Sequence, residues 1–111
     1  MDLNGNKIIY VDIDETICHY GDLLRYGPTD YSKAIPYLDR IKKINDLYDK
    51  DNTIVYWTAR GTKTGINWFQ LTLEQLNKWE CKFHELRMGK PSYDLFIDDK
   101  NINSDTFFKN I

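Results

Sequence analysis

The sequence predicts an α/β fold, a three-layer sandwich in which helices cover both faces of a mainly parallel central sheet. Short, unbroken apolar runs alternate with amphipathic stretches of about 15 residues, the pattern of strand–helix–strand units. The chain has 111 residues, enough for one hydrophobic core. Its composition, 41% hydrophobic and 29% charged, excludes a disordered chain and a coiled coil. We therefore interpret residues 1–111 as a single domain.

The first third of the chain predicts a strand, a loop and a helix. Residues 7–12 form an apolar, β-branched run, which indicates a strand buried in a parallel sheet. Residues 18–32 contain glycine, proline and aspartate, which favour a loop or flap. Apolar residues then recur at helical spacing over residues 34–50, with Pro36 expected in the first turn of the helix.

The rest of the chain continues the alternation. A second strand is predicted over residues 53–58, a second amphipathic helix over 66–79 and a weaker strand near 82–86. Residues 95–97, Leu-Phe-Ile, predict a fourth short strand, and the tail predicts one helical turn. Because such crossovers are right-handed and return to the same sheet, the strands should lie parallel under helices.

Charge and composition narrow the function classes. The net charge is -2, so no overall basic field is present to hold nucleic acid. No apolar run is long enough to span a membrane, and the first residues lack the apolar core of a signal peptide. Two cysteines, Cys18 and Cys81, form no disulfide framework. We expect a cytoplasmic protein with no membrane partner.

The carboxyl ends of three predicted strands carry the polar residues that a catalytic or metal-binding site would need. Ligands bind at this edge of open parallel sheets. Clustered carboxylates repel one another unless a cation neutralises them, and hard oxygen donors favour Mg²⁺. A lysine and a hydroxyl suit the oxygens of a phosphate group. The residues concerned are Asp12, Asp14, Thr58, Arg60, Lys90, Asp98 and Asp99.

Four motifs in order resemble those of the haloacid dehalogenase-like (HAD) phosphatases. Residues 12–16, Asp-Ile-Asp-Glu-Thr, look like the D-x-D-x-T signature of that family. The strand ending in Thr58 resembles the second motif, and Lys90 fits the third. Residues 96–99, Phe-Ile-Asp-Asp, fit the acidic fourth motif. Glu15 departs from the pattern, since many members have glycine there.

The resemblance implies a Rossmann-like, HAD-like fold and assigns roles to the residues. Asp12 would be the nucleophile that forms an aspartyl-phosphate, and Asp14 the general acid/base. Thr58 would bind the transferring phosphoryl group, and Lys90 would hold nucleophile and phosphate in place. The implied metal ligands are Asp12, the backbone carbonyl of Asp14, Asp99 and, in support, Asp98. The implied phosphate-binding residues are Thr58, Ala59, Arg60 and Lys90. For Arg60, a purely structural salt bridge is an equal alternative.

The spacing of the motifs leaves no room for a cap domain, so the resemblance implies a capless, open site. Such a site accepts a large substrate or borrows a lid from a second subunit, and a homo-oligomer would supply one. The loop from His19 to Tyr31, which carries Tyr20, Arg25, Tyr26 and Tyr31, is expected to act as a flap that chooses the substrate together with a neighbouring subunit. We expect a phosphatase that acts on a small phosphorylated substrate, a sugar phosphate of a surface-polysaccharide pathway. The alternatives are a polynucleotide-end phosphatase and a non-catalytic phosphate-receiving or phosphate-binding module.

Overall fold

A computed structural model of the chain describes residues 2–21 and 30–111. The strands are β1 (Ile8–Val11), β2 (Cys18–His19), β3 (Ile35–Pro36), β4 (Thr53–Trp57) and β5 (Glu85–Arg87). The helices are α1 (Leu38–Asp49), α2 (Phe69–Lys78) and α3 (Ser104–Phe107), with a 3₁₀ turn at Tyr31–Lys33. The part of the predicted flap that contains Arg25 and Tyr26 lies outside the described residues.

The central sheet is parallel, as the sequence predicts. Its three strands lie in the order β1-β4-β5. Ile8 is opposite Thr53 at one end of the β1–β4 pair, and Trp57 is opposite Arg87 at the end of the β4–β5 pair. The polar residues that follow β1, β4 and β5 therefore meet at one edge of the sheet. The α/β class is confirmed.

Over the described residues the structure has two of the three expected layers, the sheet and one layer of helices. Ile54 and Tyr56 of β4 belong to one buried cluster together with Ile44 of α1 and Leu76 of α2. Both helices therefore lie on the same face of the sheet. The two crossovers run in the same direction along the sheet, and right-handed crossovers in one direction place their helices on one side. On the opposite face, Ile8 is 72% exposed.

The first helix begins later than expected. Ile35 and Pro36 form β3, which pairs antiparallel with β2, and α1 starts only at Leu38. The backbone N–H of Tyr37 donates to the carbonyl of Ile17 at 2.8 Å, and this hydrogen bond holds the chain in the extended conformation before α1. Proline lacks a donor and prefers edge strands, so the short two-stranded ribbon tolerates Pro36. Placing Pro36 inside the helix was wrong.

The predicted fourth strand is not formed. Residues 91–103 have no regular secondary structure and are exposed throughout, and we call this segment the exposed arm. Leu95 is 75% and Ile97 88% exposed. A strand exists only when its backbone groups pair with a neighbour, and the described part of the chain offers residues 95–97 no such partner. The predicted helical turn in the tail is confirmed as α3.

A buried asparagine, Asn52, connects the chain segments at the amino-terminal edge of the sheet. The Asn52 side chain donates to the carbonyls of Leu3 at 2.7 Å and Leu47 at 2.9 Å, and accepts from the N–H of Lys7. It joins the N-terminal segment and the end of α1 to the start of β4. These hydrogen bonds fix the register of β1 against β4, and so the positions at which the two strands end. No helix in the described ranges is long and apolar enough to cross a membrane.

Candidate functional site

The structure brings Asp12, Thr58 and Lys90 together at the carboxyl edge of the sheet. Asp12 directly follows β1, and its Oδ1 lies 3.6 Å from Nζ of Lys90. The backbone N–H of Lys90 donates to the carbonyl of Thr58 at 3.0 Å, and Thr62 Oγ1 donates to the carbonyl of Lys90 at 2.8 Å. The loop after β5 is thus fastened to the loop after β4. This fastening delivers the lysine to the end of β1.

The carboxylate of Asp12 is in a setting that disfavours its charge. Burial raises the pKa of Asp12, and the neighbouring Asp14 adds to the rise, whereas Lys90 opposes it. The side chain nevertheless keeps 37% of its surface open to solvent. A carboxylate that is poorly solvated, accessible and beside one cation is suited to attack an electrophile.

Asp14 and Arg60 form a two-fold ion pair. Arg60 Nε donates to Asp14 Oδ2 at 3.0 Å, and Nη2 donates to Oδ1 at 2.9 Å. The hydroxyl of Tyr20 and the thiol of Cys18 also donate to Oδ1. The Arg60 side chain is completely buried and that of Asp14 is one-quarter exposed. Of the two interpretations of Arg60, the structure shows the salt bridge.

Arg60 is held in place by α2 and the 3₁₀ turn. Its Nη1 donates to Thr72 Oγ1 at 3.1 Å and to Gln75 Oε1 at 2.6 Å. Gln75 in turn donates to the carbonyl of Tyr31 at 2.7 Å, and the guanidinium lies 4.8 Å from the centre of the Tyr31 ring. Arg60 thereby ties the loop after β1 to α2 and acts as a positioning residue for Asp14.

Sequence reasoning did not single out Thr72 and Gln75. A signal for them exists, because they lie three residues apart and therefore share one face of α2, the face that also carries the buried Leu76. Polar residues on a helix face that points to the core need partners, and buried polar groups almost always have one. Tyr20 and Tyr31 were predicted as residues of the flap that chooses the substrate. The structure places Tyr20 against Asp14 and Tyr31 against Arg60, and nothing in their spacing indicates these contacts.

Thr58 is buried at the start of the turn after β4. Its Oγ1 accepts the backbone N–H of Arg60 at 3.1 Å, and its own N–H donates to the carbonyl of Arg87. A hydroxyl that accepts one bond still has a hydrogen to donate, so Thr58 can serve an anionic oxygen. Ala59 lies between Thr58 and Arg60 and is partly buried.

The acidic pair of the fourth motif is not part of this cluster. Asp98 and Asp99 lie in the exposed arm, and Asp98 accepts the backbone N–H of Lys100 at 3.2 Å in a local turn. Within residues 2–21 and 30–111, no three acidic, histidine or cysteine side chains are close enough together to hold a metal ion. The structure therefore assembles the first three motifs and leaves the fourth apart.

Glu15 adopts a backbone conformation that suits glycine. Its φ is 63°, in the left-handed region where a side chain is unfavourable. The turn is closed by the N–H of Glu15, which donates to the carbonyl of Cys18 at 2.9 Å, and by the N–H of Ile17, which donates to that of Ile13. The position at which the chain departs from the glycine-containing motif is thus one where glycine has a physical advantage.

Comparisons with known proteins support the fold and leave the family open. No family model matches the chain, and no curated protein matches it. The chain is similar in structure to a crystal structure of an MCSG target from Vibrio cholerae, with a TM-score of 0.75 and 25% sequence identity. The match covers 96% of this chain and 89% of that one. Fold and comparison together define a small α/β protein with a parallel three-stranded sheet.

Proposed function

We propose that the chain is a Mg²⁺-dependent phosphatase of the capless, Rossmann-like HAD type, which hydrolyses a phosphate monoester through an aspartyl-phosphate on Asp12. One observation carries the proposal. The accessible carboxylate of Asp12 lies at the end of β1, 3.6 Å from the ammonium of Lys90, and the loop of Lys90 is hydrogen-bonded to Thr58 at the end of the adjacent strand. A nucleophile, a cation and a hydroxyl at one sheet edge match the needs of phosphoryl transfer.

In the first step Asp12 attacks phosphorus. A bond forms between a carboxylate oxygen and phosphorus, the ester P–O bond breaks, and the leaving oxygen takes a proton from Asp14. In the second step water attacks the aspartyl-phosphate and gives a proton to Asp14, which releases inorganic phosphate and restores the Asp12 carboxylate. Lys90 and Thr58 hold the oxygens of the transferring group throughout.

The ion pair of Asp14 sets a condition on this mechanism. A general acid must face the leaving group, whereas both carboxylate oxygens of Asp14 accept hydrogen bonds from Arg60. We infer that the Asp14 side chain turns away from Arg60 when it donates its proton, and returns afterwards. Thr72 and Gln75 keep Arg60 in place while the carboxylate moves.

The donors at the site fit Mg²⁺ in type. Asp12 offers carboxylate oxygens, the hard donors that this ion prefers. Asp12 and the backbone carbonyl of Asp14, together with Asp99 and its neighbour Asp98 once they reach this edge, would hold the ion. Bound Mg²⁺ would neutralise the negative charge of the transferring phosphoryl group.

The substrate class that we propose is a small phosphorylated molecule, a sugar phosphate of a surface-polysaccharide pathway. The Asp12 side chain is 37% exposed, so a substrate can approach it from solvent. The acidic balance of the chain, with a pI near 5.6, disfavours the alternative of a polynucleotide end.

One observation favours a second candidate function. In the structure Asp14 is bound to Arg60, so the acid/base residue is not directed at a leaving group. If the pair never opens, Asp12 would accept a phosphoryl group and retain it. The chain would then be a phosphate-receiving or phosphate-binding module that does not turn over.

The two candidates are separated by an assay with p-nitrophenyl phosphate. We expect continuous hydrolysis with Mg²⁺, its loss in EDTA, and its loss in Asp12→Asn. The matched control is Asp51→Asn, since Asp51 is an exposed aspartate with a φ of 69°, a conformation that asparagine tolerates well. Acid-stable phosphate on Asp12 without turnover would favour the receiving module, and hydrolysis unaffected by Asp12→Asn would contradict both candidates. Hydrolysis of sugar phosphates compared with a phosphorylated oligonucleotide then tests the substrate class.

A further inference from the structure

The turn that carries Asp14, residues 13–18, is held from outside at three successive backbone carbonyls, and we call it the Asp14 turn. Each carbonyl accepts a hydrogen bond from a different part of the chain. The donors are Ser104 Oγ to Glu15 at 3.3 Å, Arg40 Nη1 to Thr16 at 3.1 Å and the backbone N–H of Tyr37 to Ile17 at 2.8 Å. Glu15 has a φ of 63°, and an unfavourable conformation of this kind persists only where the surrounding structure imposes it. The three donors supply that constraint.

Arg40 of α1 joins the Asp14 turn to the short helix α3. Its Nη1 donates to the carbonyl of Thr16, and its Nη2 pairs with Asp105 Oδ1 at 2.9 Å. The guanidinium also lies 4.5 Å from the centre of the Tyr37 ring and 4.9 Å from that of Phe108. The side chain is 15% exposed, so water competes little for its donors. A planar guanidinium with two bonded nitrogens and two ring contacts fixes α1, the turn and α3 relative to one another.

We propose that Arg40 is a positioning residue for the proton transfers of Asp14, an assignment that rests on the proposed function. Arg60 holds the carboxylate itself and loses that contact when the side chain turns to the leaving group. Arg40 instead holds the main chain two residues further on, through the carbonyl of Thr16. That contact is unchanged while the carboxylate moves, so the side chain turns about a fixed backbone. Without Arg40 the backbone moves as well, and the carboxyl group reaches the leaving oxygen less often.

Two esters of almost the same shape test the role in the first chemical step. Phenolate is a poor leaving group that needs a proton from Asp14, whereas p-nitrophenolate leaves without one. We expect Arg40→Gln to lower kcat/KM about tenfold for phenyl phosphate and less than about twofold for p-nitrophenyl phosphate. A loss of folded enzyme would lower both values equally. The matched control is Lys42→Gln, which removes a cation from the same helix that pairs with Asp46 at the surface, and it should leave both values unchanged.

Hydrogen exchange followed by mass spectrometry tests the positioning without reference to activity. In the wild type the N–H groups of Glu15 and Ile17 are bonded within the Asp14 turn, so exchange there requires the turn to open. We expect Arg40→Gln to accelerate exchange in residues 13–18 about tenfold relative to β4, whose exchange reports opening of the whole fold. Lys42→Gln should leave the exchange of residues 13–18 unchanged.

Arg40→Lys carries both tests if Arg40→Gln fails to fold, which circular dichroism verifies. Lysine keeps the charge but lacks the fork that bonds Thr16 and Asp105 together, so we expect effects in the same direction and smaller. A ratio of the two kcat/KM values equal to that of the wild type, or exchange in residues 13–18 that rises no more than that of β4, overturns the proposal. A wild type that hydrolyses neither ester, with faster exchange in the Arg40 variant, would refute the proposed function and leave the hold of Arg40 on the turn intact.

Discussion

The guanidinium of Arg60 faces the carboxylate of Asp14 with two parallel hydrogen bonds, of 3.0 and 2.9 Å, deep between the sheet edge and α2. Two residues from the ends of adjacent strands thus satisfy each other. The pair fixes the orientation of the Asp14 side chain, and it occupies two N–H groups of the Arg60 guanidinium. Arg60 is held by Thr72 and Gln75 as well, so it stabilises the fold and positions Asp14.

Removing the arginine should destabilise the fold. Arg60→Met leaves a carboxylate and two polar side chains of α2 without their partner, and breaking such a buried pair costs about 3 kcal/mol. The measurement is urea unfolding at pH 7, followed by circular dichroism. The control is Arg87→Met, because Arg87 pairs with Glu85 at the surface and should contribute less than about 1 kcal/mol. Equal losses in the two variants would contradict the role of Arg60.

Replacing Asp12 should stabilise the folded protein at neutral pH. The pKa of Asp12 is raised in the folded state by burial, so the folded state binds its proton more tightly than the unfolded state does. The stability that this group contributes is present at low pH and is lost as the pH rises through the raised pKa. Asp12→Asn lacks this loss of stability. We therefore expect the free energy of unfolding in urea to exceed that of the wild type by an amount that grows between pH 4 and pH 7. Asp51→Asn should show no such trend, and a constant difference for Asp12→Asn would contradict the expected burial.

The phenol of Tyr56 should be dispensable for stability. Tyr56 is fully buried, and in the described part of the structure its hydroxyl forms no hydrogen bond of standard geometry. Burial raises the pKa of Tyr56, and the Cys81 thiol beside it adds to the rise, so the phenol stays neutral. We expect Tyr56→Phe to be neutral or to stabilise by up to about 1 kcal/mol, since it removes a poorly paired polar group and no packing. Tyr56→Leu, which also removes ring contacts, should destabilise. A clear loss of stability in Tyr56→Phe would reveal a bond that the geometry lacks.

Both thiols should resist modification in the native state. Burial raises the pKa of Cys81 to about 12, and burial with the nearby Asp14 carboxylate raises the pKa of Cys18 as well. At pH 8 the thiolate fraction of Cys81 is then about one in ten thousand, and the thiolate is the reactive form. We expect Ellman's reagent to label neither cysteine in the folded protein and both in urea. Rapid labelling of one native thiol would contradict the burial of that residue.

The sequence predicted the parallel sheet because each of its main strands has a local sequence signal. β1 and β4 were predicted within one or two residues, since each is a short β-branched run bounded by polar residues. The proximity of Asp12, Thr58 and Lys90 followed from the same pattern, because the carboxyl ends of parallel strands share an edge. The start of α1 was missed, since β2 and β3 pair only through contacts distant in sequence.

The sequence by itself determined the strand ends, the spacing of the acidic, hydroxyl and basic residues, and the α/β class. These are set by local periodicity and by the handedness of crossovers, which act within one strand–helix–strand unit. The tertiary structure alone decided that both helices lie on one face, that Asp14 pairs with Arg60, and that residues 95–97 form no strand. Each of these depends on which groups find partners across the fold, and pairing energies between distant segments leave no periodic mark on the chain.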